Sequence, residues 1–272
     1  MKILFYGINF APELTGIGKY TGEMAAWFAA NGHEVRVIAG PPYYPAWKVG
    51  PEHSASQYRT ETWNGVRVVR TPLWVPHQPG GLKRLIHLAS FALSSLPVLL
   101  AQWRWRPDVV WVVEPPLMCA PAAAAFASLR GAKSWLHIQD YEVDAAFDLG
   151  LIKGNTLRRW VQGAERGLMR RFDRVSTISG RMVERAKAKG VAVERVVHFP
   201  NWVDISGITP LGARSSYRTE LGLAPDAVVA LYSGNMGNKQ GLEILADVAR
   251  LLQDEPRIQF VFGGNGSGRA DL

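Results

Sequence analysis

Residues 3–39 read ILFYGINFAPELTGIGKYTGEMAAWFAANGHEVRVIA, and this stretch decides the fold class. The run 3–6 is short, apolar and aromatic, which is typical of a buried strand. A glycine-containing loop and a helical pattern over about 18–30 follow, and Asn31-Gly32 ends that pattern as a helix C-terminus does. The run 35–39 is the next strand. Strand, loop, helix and strand in this order predict a βαβ unit and a parallel sheet.

The alternation continues to residue 199. Further strand-like runs are separated by helical patterns, which gives seven predicted strands in this part of the chain. Most of these runs are continuously apolar, as strands buried on both faces of a parallel sheet must be. The predicted strands lie at 66–70, 109–113, 134–138, 174–178 and 196–199, and the predicted helices at 82–103, 120–129, 158–172 and 181–189.

A boundary follows at Pro200-Asn201-Trp202-Val203-Asp204, where the rhythm breaks and a polar, glycine-containing stretch begins. A second α/β pattern then starts, with strands at 228–233 and 258–262 and a helix at 242–252. We therefore predict an α/β fold with two Rossmann-like doubly wound domains, 1–203 and 204–272. The second holds about 70 residues, fewer than the roughly 100–150 that such a domain needs, so we expect it to be incomplete.

Composition limits the function classes. The 272 residues are 47% hydrophobic and 20% charged, which excludes disordered and fibrous classes. The single cysteine, Cys119, excludes a disulfide framework and a cysteine zinc cluster, and its apolar surroundings predict a buried thiol. We find no signal-peptide pattern ahead of the first strand, and we expect a reducing, cytoplasmic location.

The net charge of +8 favours polyanionic partners, which include phosphates, anionic lipid heads and nucleic acid. The basic residues are scattered, and no helix-turn-helix or RNA-binding signature occurs, so we expect no nucleic-acid partner.

The first candidate loop follows the first strand and ends at Gly16, Gly18 and Lys19, where the helix begins. Glycines let a ligand approach the backbone and a helix N-terminus attracts anions, so the loop predicts contact with a phosphate or sugar. A ligand-free helix entry is the alternative. Nine residues separate Tyr6 from Gly16, and the second strand runs into Gly-Pro-Pro at 40–42 with no acidic residue. Both features argue against a dinucleotide fingerprint.

Two further loops follow strands and carry polar residues. His137 and Asp140 lie at the end of the strand 134–138, where a histidine or carboxylate can bond a ligand hydroxyl or phosphate. A satisfied core histidine is the alternative reading of His137. The loop from Gly234 to Gly241 joins a strand to a helix, and its backbone N–H groups with Lys239 fit a diphosphate. A simple tight turn is the alternative there.

The segment 85–103 contains no Lys, Arg, Asp or Glu and is flanked by basic residues and tryptophans. It lies between two predicted strands and contains polar residues, so we do not expect it to span a membrane. A helix buried against the sheet and a helix resting on a bilayer surface both fit the pattern. In the loop after the second strand, Trp47 beside Tyr44 is the best candidate for a sugar platform.

Several motifs, in chain order, resemble retaining GT-B glycosyltransferases of the family 4-like group. The resemblance covers the whole chain and is closest to the branch that builds bacterial exopolysaccharides such as colanic acid. The motifs that carry it are Pro12-Glu13 with Gly16 and Gly18, the run 31–37 (NGHEVRV), 137–140 (HIQD), 199–204 (FPNWVD), 232–237 (YSGNMG) and 263–266 (GGNG).

The resemblance implies two Rossmann-like domains that face a cleft, the first for the acceptor and the second for a UDP- or GDP-sugar donor. It implies sugar transfer with retention of anomeric configuration, no metal or other cofactor, and a lipid-linked (polyprenyl-diphosphate) saccharide as acceptor. A cytoplasmic enzyme at the inner face of the plasma membrane follows from such an acceptor. The later donor-binding motif of the family, with two glutamates, has no counterpart in this chain.

The resemblance also implies the site residues. His137 and Asp140 are assigned to the transfer chemistry. The residues assigned to the donor and its phosphates are Gly16, Gly18, Lys19, Gly234, Asn235, Lys239 and Gly264. The residues assigned to the acceptor are Glu13, Tyr44 and Trp47. Asn235 stands where the family has an arginine, which leaves more of the charge stabilisation to Lys239 and the backbone.

Two other classes of protein remain open at this stage. A non-catalytic module that retains the acceptor half predicts lipid-diphosphate binding without turnover. An NAD(P)-dependent oxidoreductase on a related sheet predicts NAD(H) binding.

Overall fold

The computed structural model describes residues 1–77, 80–144, 155–237, 240–266, 268–270 and 272. Two units divide the chain, Met1–Val203 and Asp204–Leu272. The first unit is built on a sheet of eight strands in the order β3-β4-β2-β1-β5-β6-β7-β8. The strands are β1 (Lys2–Tyr6), β2 (Glu34–Ala39), β3 (Arg59–Trp63), β4 (Val66–Arg70), β5 (Val109–Glu114), β6 (Lys133–Ile138), β7 (Arg174–Thr177) and β8 (Val196–His198).

The strand β3 corrects the predicted number of seven strands in this unit. It pairs antiparallel with β4, while the other neighbouring strands of the sheet pair in parallel. Asn64 and Gly65 join β3 to β4 with φ of 45° and 78°, the left-handed conformation that a two-residue hairpin turn needs. The residues of β3 are polar and mostly exposed because it is the edge strand, so no apolar run marks it.

Helices cover both faces of this sheet, as the continuous apolar strands predict. Alternate side chains of β1 point to opposite faces, so Ile3 and Phe5 pack in one buried cluster and Leu4 and Tyr6 in another. The helices are α1 (Gly16–Ala30), α2 (Gly81–Ala101), α3 (Ala120–Arg130), α4 (Asn155–Met169) and α5 (Gly180–Ala188). Cys119 is buried, as predicted, and burial raises the pKa of its thiol to about 12.

The helix α2 has apolar side chains on two opposite faces. One face is buried through His87, Leu88, Phe91, Ser95 and Leu99. The opposite face is an exposed stripe at helical spacing, which we call the leucine stripe: Leu82, Ile86, Leu93, Leu96 and Leu100. Within the described residues, Gly81–Arg104 is the one helical segment long and apolar enough to cross a membrane, with a mean hydropathy of 1.6. The buried face shows that α2 is also a core helix.

A buried ion-pair cluster fastens the end of α5. The Lys189 Nζ lies 2.8 Å from Asp144 Oδ2 and also pairs with Glu165 Oε2 of α4. All three side chains are at least nine-tenths buried. Arg185 Nε contacts the same Asp144 oxygen at 2.7 Å from the solvent side. Because each buried charge has an opposite partner, the cluster ties α5 to α4 and to the chain after β6.

The second unit contains two strands and two α-helices within the described residues. Its strands β9 (Val228–Ser233) and β10 (Ile258–Gly263) pair in parallel. A short helix α6 (Tyr217–Glu220) precedes β9, and α7 (Glu243–Leu251) connects the two strands. Strand, helix and parallel strand make one βαβ unit, in agreement with the second α/β pattern of the sequence.

Candidate active site

The carboxyl ends of β1 and β5 mark the point in the first unit where the strand order reverses. From β1 the sheet grows towards β2 on one side and towards β5 on the other. In doubly wound sheets ligands bind beyond the carboxyl ends of the strands at such a point. The loop from β1 to α1 and the segments after β2, β5 and β6 leave the sheet at this edge, and they carry the predicted site residues of this unit.

Glu13 is the buried anchor of the first loop. Its Oε1 accepts hydrogen bonds from the backbone N–H groups of Tyr43 and Tyr44, both at 3.1 Å, and its Oε2 accepts one from Asn9 Nδ2 at 2.9 Å. Burial raises the pKa of this carboxyl, and the three hydrogen bonds oppose that rise. With only 6% of its surface exposed, Glu13 holds the loop after β2 against the loop after β1.

Gly18 makes room for the Glu13 side chain. A Cβ at position 18 would lie 2.7 Å from the Glu13 Cβ, which is closer than two carbon atoms pack. The glycine is therefore required by the Glu13 side chain, a structural reason that the sequence pattern does not reveal. Gly16 is different, because its φ of 63° is left-handed. A Cβ at position 16 would make one ordinary contact, 3.6 Å from Tyr44 Cε1, so its surroundings are open. Of the two glycines, only Gly16 leaves backbone open to a ligand.

Arg70 is a residue of this site that the sequence analysis missed. Its guanidinium is buried at the end of β4, where Nη1 donates to the Gly40 carbonyl at 3.0 Å and Nη2 donates to the Ala11 carbonyl. Its Nε pairs with Glu61 Oε1 at 2.8 Å. Arg70 therefore holds the loop after β1 through the Ala11 carbonyl and the loop after β2 through the Gly40 carbonyl. The signal was an arginine that ends an apolar strand, where an unpaired charge would be costly.

An open cavity of about 450 Å³ brings together Glu13 and Tyr44, two of the three predicted acceptor residues. We call it the acceptor cavity. Lys48 also lines it. Trp47, the third predicted residue, lies in a neighbouring cavity, where its ring packs 5.4 Å from Tyr43. Lys19, which was predicted to contact the donor phosphates, is half-buried on α1, and its Nζ lies 3.9 Å from Glu23 Oε1.

His137 is buried in a hydrogen-bonded network, with 3% of its surface exposed. Its Nδ1 lies 2.8 Å from Ser176 Oγ, and its Nε2 lies 2.9 Å from Gln139 Nε2. The amide Nε2 can only donate, so the ring Nε2 accepts and the proton resides on Nδ1. Burial lowers the pKa of His137 to about 4, which keeps the ring neutral at physiological pH.

The network continues to the boundary segment. Gln139 and Asn201 exchange two side-chain hydrogen bonds, at 2.9 and 3.0 Å. His137 therefore orients Gln139, and Gln139 holds Asn201, which the sequence analysis noted only as part of a motif. Both ring nitrogens of His137 already have partners, and its site role stays a prediction. Asp140, two residues beyond the strand, is exposed.

Two buried carboxyls lie at the same edge and were missed by the sequence analysis. Glu114, the last residue of β5, is fully buried. Burial, then the nearby Glu142, raises its pKa well above the ordinary value. Glu142 Oε2 accepts a hydrogen bond from the Leu117 N–H at 2.9 Å. Two close carboxyls with little access to water cannot both ionise without cost, so this environment favours the protonated form of Glu114.

In the second unit, the loops after β9 and β10 lie against each other. The Gly234 N–H donates to the Gly263 carbonyl at 2.9 Å, and the Met236 N–H donates to the Asn265 carbonyl at 2.9 Å. Any Cβ at Gly264 would overlap the Gly234 carbonyl oxygen, so this glycine permits the contact between the loops. The predicted Gly234, Asn235 and Gly264 are therefore brought together. Lys239 lies outside the described residues.

The described residues contain no group of side chains that could bind a metal ion. Across the described ranges, no cluster of three or more His, Cys, Asp or Glu side chains has the geometry of a metal site.

The fold and the loops define the class. Two α/β units, a mostly parallel sheet and glycine loops at the carboxyl ends of strands are the architecture of GT-B glycosyltransferases. The profile of the "Glycosyl transferase 4-like domain" matches residues 15–202. The chain therefore belongs to the glycosyl transferase 4-like family.

Curated relatives agree with this assignment. The chain is 51% identical over 277 residues to the putative colanic acid biosynthesis glycosyl transferase WcaI of Escherichia coli K12, and it covers 68% of that protein. It is 26% identical over 281 residues to the glycogen synthase of Mycobacterium tuberculosis, of which it covers 62%. In both comparisons nearly the whole of this chain is aligned.

Solved structures share the fold. The structure of Anabaena HepE in complex with UDP and glucose superposes with a TM-score of 0.60 at 18% identity, over all of this chain and 63% of that one. The lipopolysaccharide outer core galactosyltransferase WaaB superposes with a TM-score of 0.52 at 13% identity, over all of this chain and 70% of that one. At these identities the likeness concerns the fold alone.

Proposed function

We propose that the protein transfers a sugar from a nucleotide-sugar to a lipid-linked saccharide during the synthesis of a bacterial exopolysaccharide of the colanic acid type. The 51% identity to the E. coli protein named for colanic acid biosynthesis is the observation that carries this proposal. The chain spans 68% of that relative, so the proposed reaction is that of the whole protein, to which these two units contribute.

In this proposal, each of the two units binds one of the two substrates. The first unit takes the acceptor in the acceptor cavity, beside Glu13 and Tyr44. The second takes the UDP- or GDP-linked donor on the loops around Gly234 and Gly264, where backbone N–H groups and Lys239 meet the diphosphate. HepE, which shares this fold, is described in complex with UDP and with UDP-glucose, which supports a nucleotide-sugar as donor.

The proposed chemistry is sugar transfer with retention of the anomeric configuration. The acceptor attacks the donor sugar on the same face that the leaving group departs from, and no metal takes part. Gly16, with its open left-handed backbone, is the better of the two first-loop glycines for a phosphate contact. The neutral His137 acts as a positioning residue through Gln139. Asp140 is exposed beside that network and is the carboxylate with access to a sugar hydroxyl.

Donor binding tests the proposal. Calorimetric titration of the 272-residue chain with UDP-glucose, UDP-galactose, GDP-mannose and GDP-fucose should reveal at least one nucleotide-sugar that binds. Lys239→Ala should weaken that binding by about tenfold, the effect of one lost charge-assisted hydrogen bond. Lys133→Ala is the matched control, because Lys133 begins β6 at the amino edge of the sheet and is exposed.

Two outcomes would contradict the proposal. Binding of NAD(H) with no response to any nucleotide-sugar would favour an oxidoreductase. Binding of a lipid diphosphate with no response to any nucleotide-sugar would favour a non-catalytic acceptor module.

The protein is further proposed to work in the cytoplasm on the inner face of the plasma membrane. The leucine stripe supports this, since five exposed apolar side chains on one helix face would otherwise face water. Basic residues flank it at both ends, and cations near an apolar stripe favour an anionic bilayer surface. These residues are Lys83, Arg84, Arg104 and Arg106.

Co-sedimentation with vesicles rich in phosphatidylglycerol tests the membrane contact. Leu93→Glu should release the protein from the vesicles, because a charge in the middle of the stripe opposes burial. Leu211→Glu, an equally exposed leucine of the second unit, is the control and should leave the distribution unchanged. Equal sedimentation of both variants would contradict the assignment.

A further inference from the structure

A second cavity, which contains Trp47, adjoins the acceptor cavity at Lys48. Its volume of about 590 Å³ is in the range of small-molecule sites. Apolar side chains from the loop after β2 and from the segment after β4 form most of its wall. They are Trp47, Val49, Pro72, Leu73, Trp74 and Val75. We call it the tryptophan cavity.

The two serines of α2 in the wall of the tryptophan cavity are already engaged. Ser90 Oγ donates to the His87 carbonyl at 2.7 Å and accepts from the Trp74 N–H at 3.1 Å. Ser94 Oγ donates to the Pro72 carbonyl at 2.6 Å. A hydroxyl has one proton, so neither serine has a donor left for a ligand. The other polar residues of the wall are Lys48, Ser56 and His77. Most of the remaining wall is apolar and suits a hydrocarbon chain.

The tryptophan cavity lies beside the leucine stripe. Ser90 follows Ile86 by four residues and precedes Leu93 by three on α2. Residues three or four apart are neighbours on a helix surface, so Ser90, which lines the cavity, borders the stripe. The tryptophan cavity and the leucine stripe therefore adjoin each other at Ser90.

Lys48 lies between the two cavities and lines both of them. Its side chain is exposed, and the part of the chain that the structure describes gives it no ion-pair partner. A lysine ammonium is a compact point charge that binds phosphate well. Lys48 therefore places a cation between the tryptophan cavity and the acceptor cavity.

We propose that the tryptophan cavity binds the first units of the hydrocarbon chain of a lipid diphosphate, with the diphosphate on Lys48 and the attached saccharide in the acceptor cavity. The inference rests on the proposed function, because it takes the lipid-linked acceptor from there. It adds the place and orientation of that acceptor: the chain towards the leucine stripe and the sugar towards Glu13.

Farnesyl diphosphate is the probe, because it is soluble and has both a diphosphate and an isoprenoid chain. Calorimetric titration of the 272-residue chain compares it with inorganic pyrophosphate, which has the charge alone, and with farnesol, which has the chain alone. We expect farnesyl diphosphate to bind at least about tenfold more tightly than pyrophosphate, since burying even two methylene groups gives that factor. Equal affinities would overturn the proposal and indicate an adventitious anion site.

Two variants locate the binding. Ala55→Trp places a large ring into the tryptophan cavity from an exposed position and should abolish the advantage of farnesyl diphosphate over pyrophosphate. Ala188→Trp, at an exposed alanine of α5, is its control. Lys48→Met should weaken both anions and leave farnesol unchanged. Unchanged binding of farnesyl diphosphate in both Ala55→Trp and Lys48→Met would overturn the assignment.

Nucleotide-sugar titrations separate this inference from the proposed function. Ala55→Trp should bind the donor as the unmodified chain does, because the cavity belongs to the acceptor side. Failure of the donor titration with farnesyl diphosphate binding intact would remove the transferase proposal. Donor binding intact with no preference for the farnesyl chain would remove only the tryptophan cavity.

Discussion

Lowering the pH tests whether His137 is a neutral, buried ring. Its two nitrogens are held by Ser176 and Gln139, and burial moves its pKa from the usual 6.5 to about 4. The unfolded chain keeps the ordinary pKa, so on acidification it takes up a proton before the folded chain does. The stability that this histidine contributes is therefore complete above about pH 6.5 and is lost as the pH falls towards 4.

The expected loss follows from the two pKa values. Linkage of proton binding to unfolding gives a loss of about 2 kcal/mol at pH 5 and about 3 kcal/mol at pH 4. His137→Gln removes the titrating group, so its stability should not show this part of the pH dependence. The difference in unfolding free energy between the two chains isolates His137, because the other ionisable groups are common to both.

Urea unfolding of both chains at pH 7, 6, 5 and 4 measures this difference, and the NMR shift of the His137 Cε1–H gives the pKa directly. Unmodified protein should approach the His137→Gln variant in stability as the pH falls. A Cε1–H resonance that titrates near 6.5, or a stability difference that does not change with pH, would refute the neutral buried ring. That result would also mean that the His137 ring is accessible and can contact the substrate.

Two further predictions concern the packing around the site. Lys189→Met leaves the buried Glu165 carboxylate without its cation and Asp144 with Arg185 alone, and it should lower the free energy of unfolding by about 3–5 kcal/mol. Lys187→Met breaks an exposed pair with Glu184 and should cost less than about 0.5 kcal/mol. Similar urea midpoints for the two variants would show that the cluster is not a buried one. Gly18→Ala should cost about 1–3 kcal/mol because the new Cβ meets the Glu13 side chain. Gly163→Ala, in the middle of α4 with open space around it, should instead gain about 1 kcal/mol. Thermal unfolding of this pair measures both values, and a stabilised Gly18→Ala would mean that Glu13 does not pack there.

Most of the sheet could be predicted because its strands are buried on both faces. Such strands must be apolar throughout, and α1, α3 and α5 end at an asparagine or beside a glycine, so the pattern is visible in the sequence. The strand β3 could not be found in this way because it is an edge strand with polar, exposed residues. The Asn64-Gly65 turn was the available signal, since this pair adopts the left-handed conformations that a hairpin needs.

The site was predicted only as a set of loops. Glycines and polar residues after strands indicate where a ligand meets the sheet, and they led to Glu13, Gly16 and Tyr44. Local sequence cannot reveal that Arg70 reaches the Ala11 carbonyl, 59 residues away, or that Asn201 bonds Gln139, 62 residues away. These contacts depend on the folded chain, because no pattern within a single element specifies them.

The fold class and the family could be predicted from the amino-acid sequence. Both depend on local patterns: the alternation of strands and helices, and the glycine loops at their ends. The part that each loop residue plays became visible in the folded chain. The folded chain shows Gly18 making room for a buried carboxylate, His137 held neutral between two partners, and α2 with one apolar face in the core and the other exposed. Burial and partnership are properties of the space around a residue, and that space is formed by segments far apart in the chain.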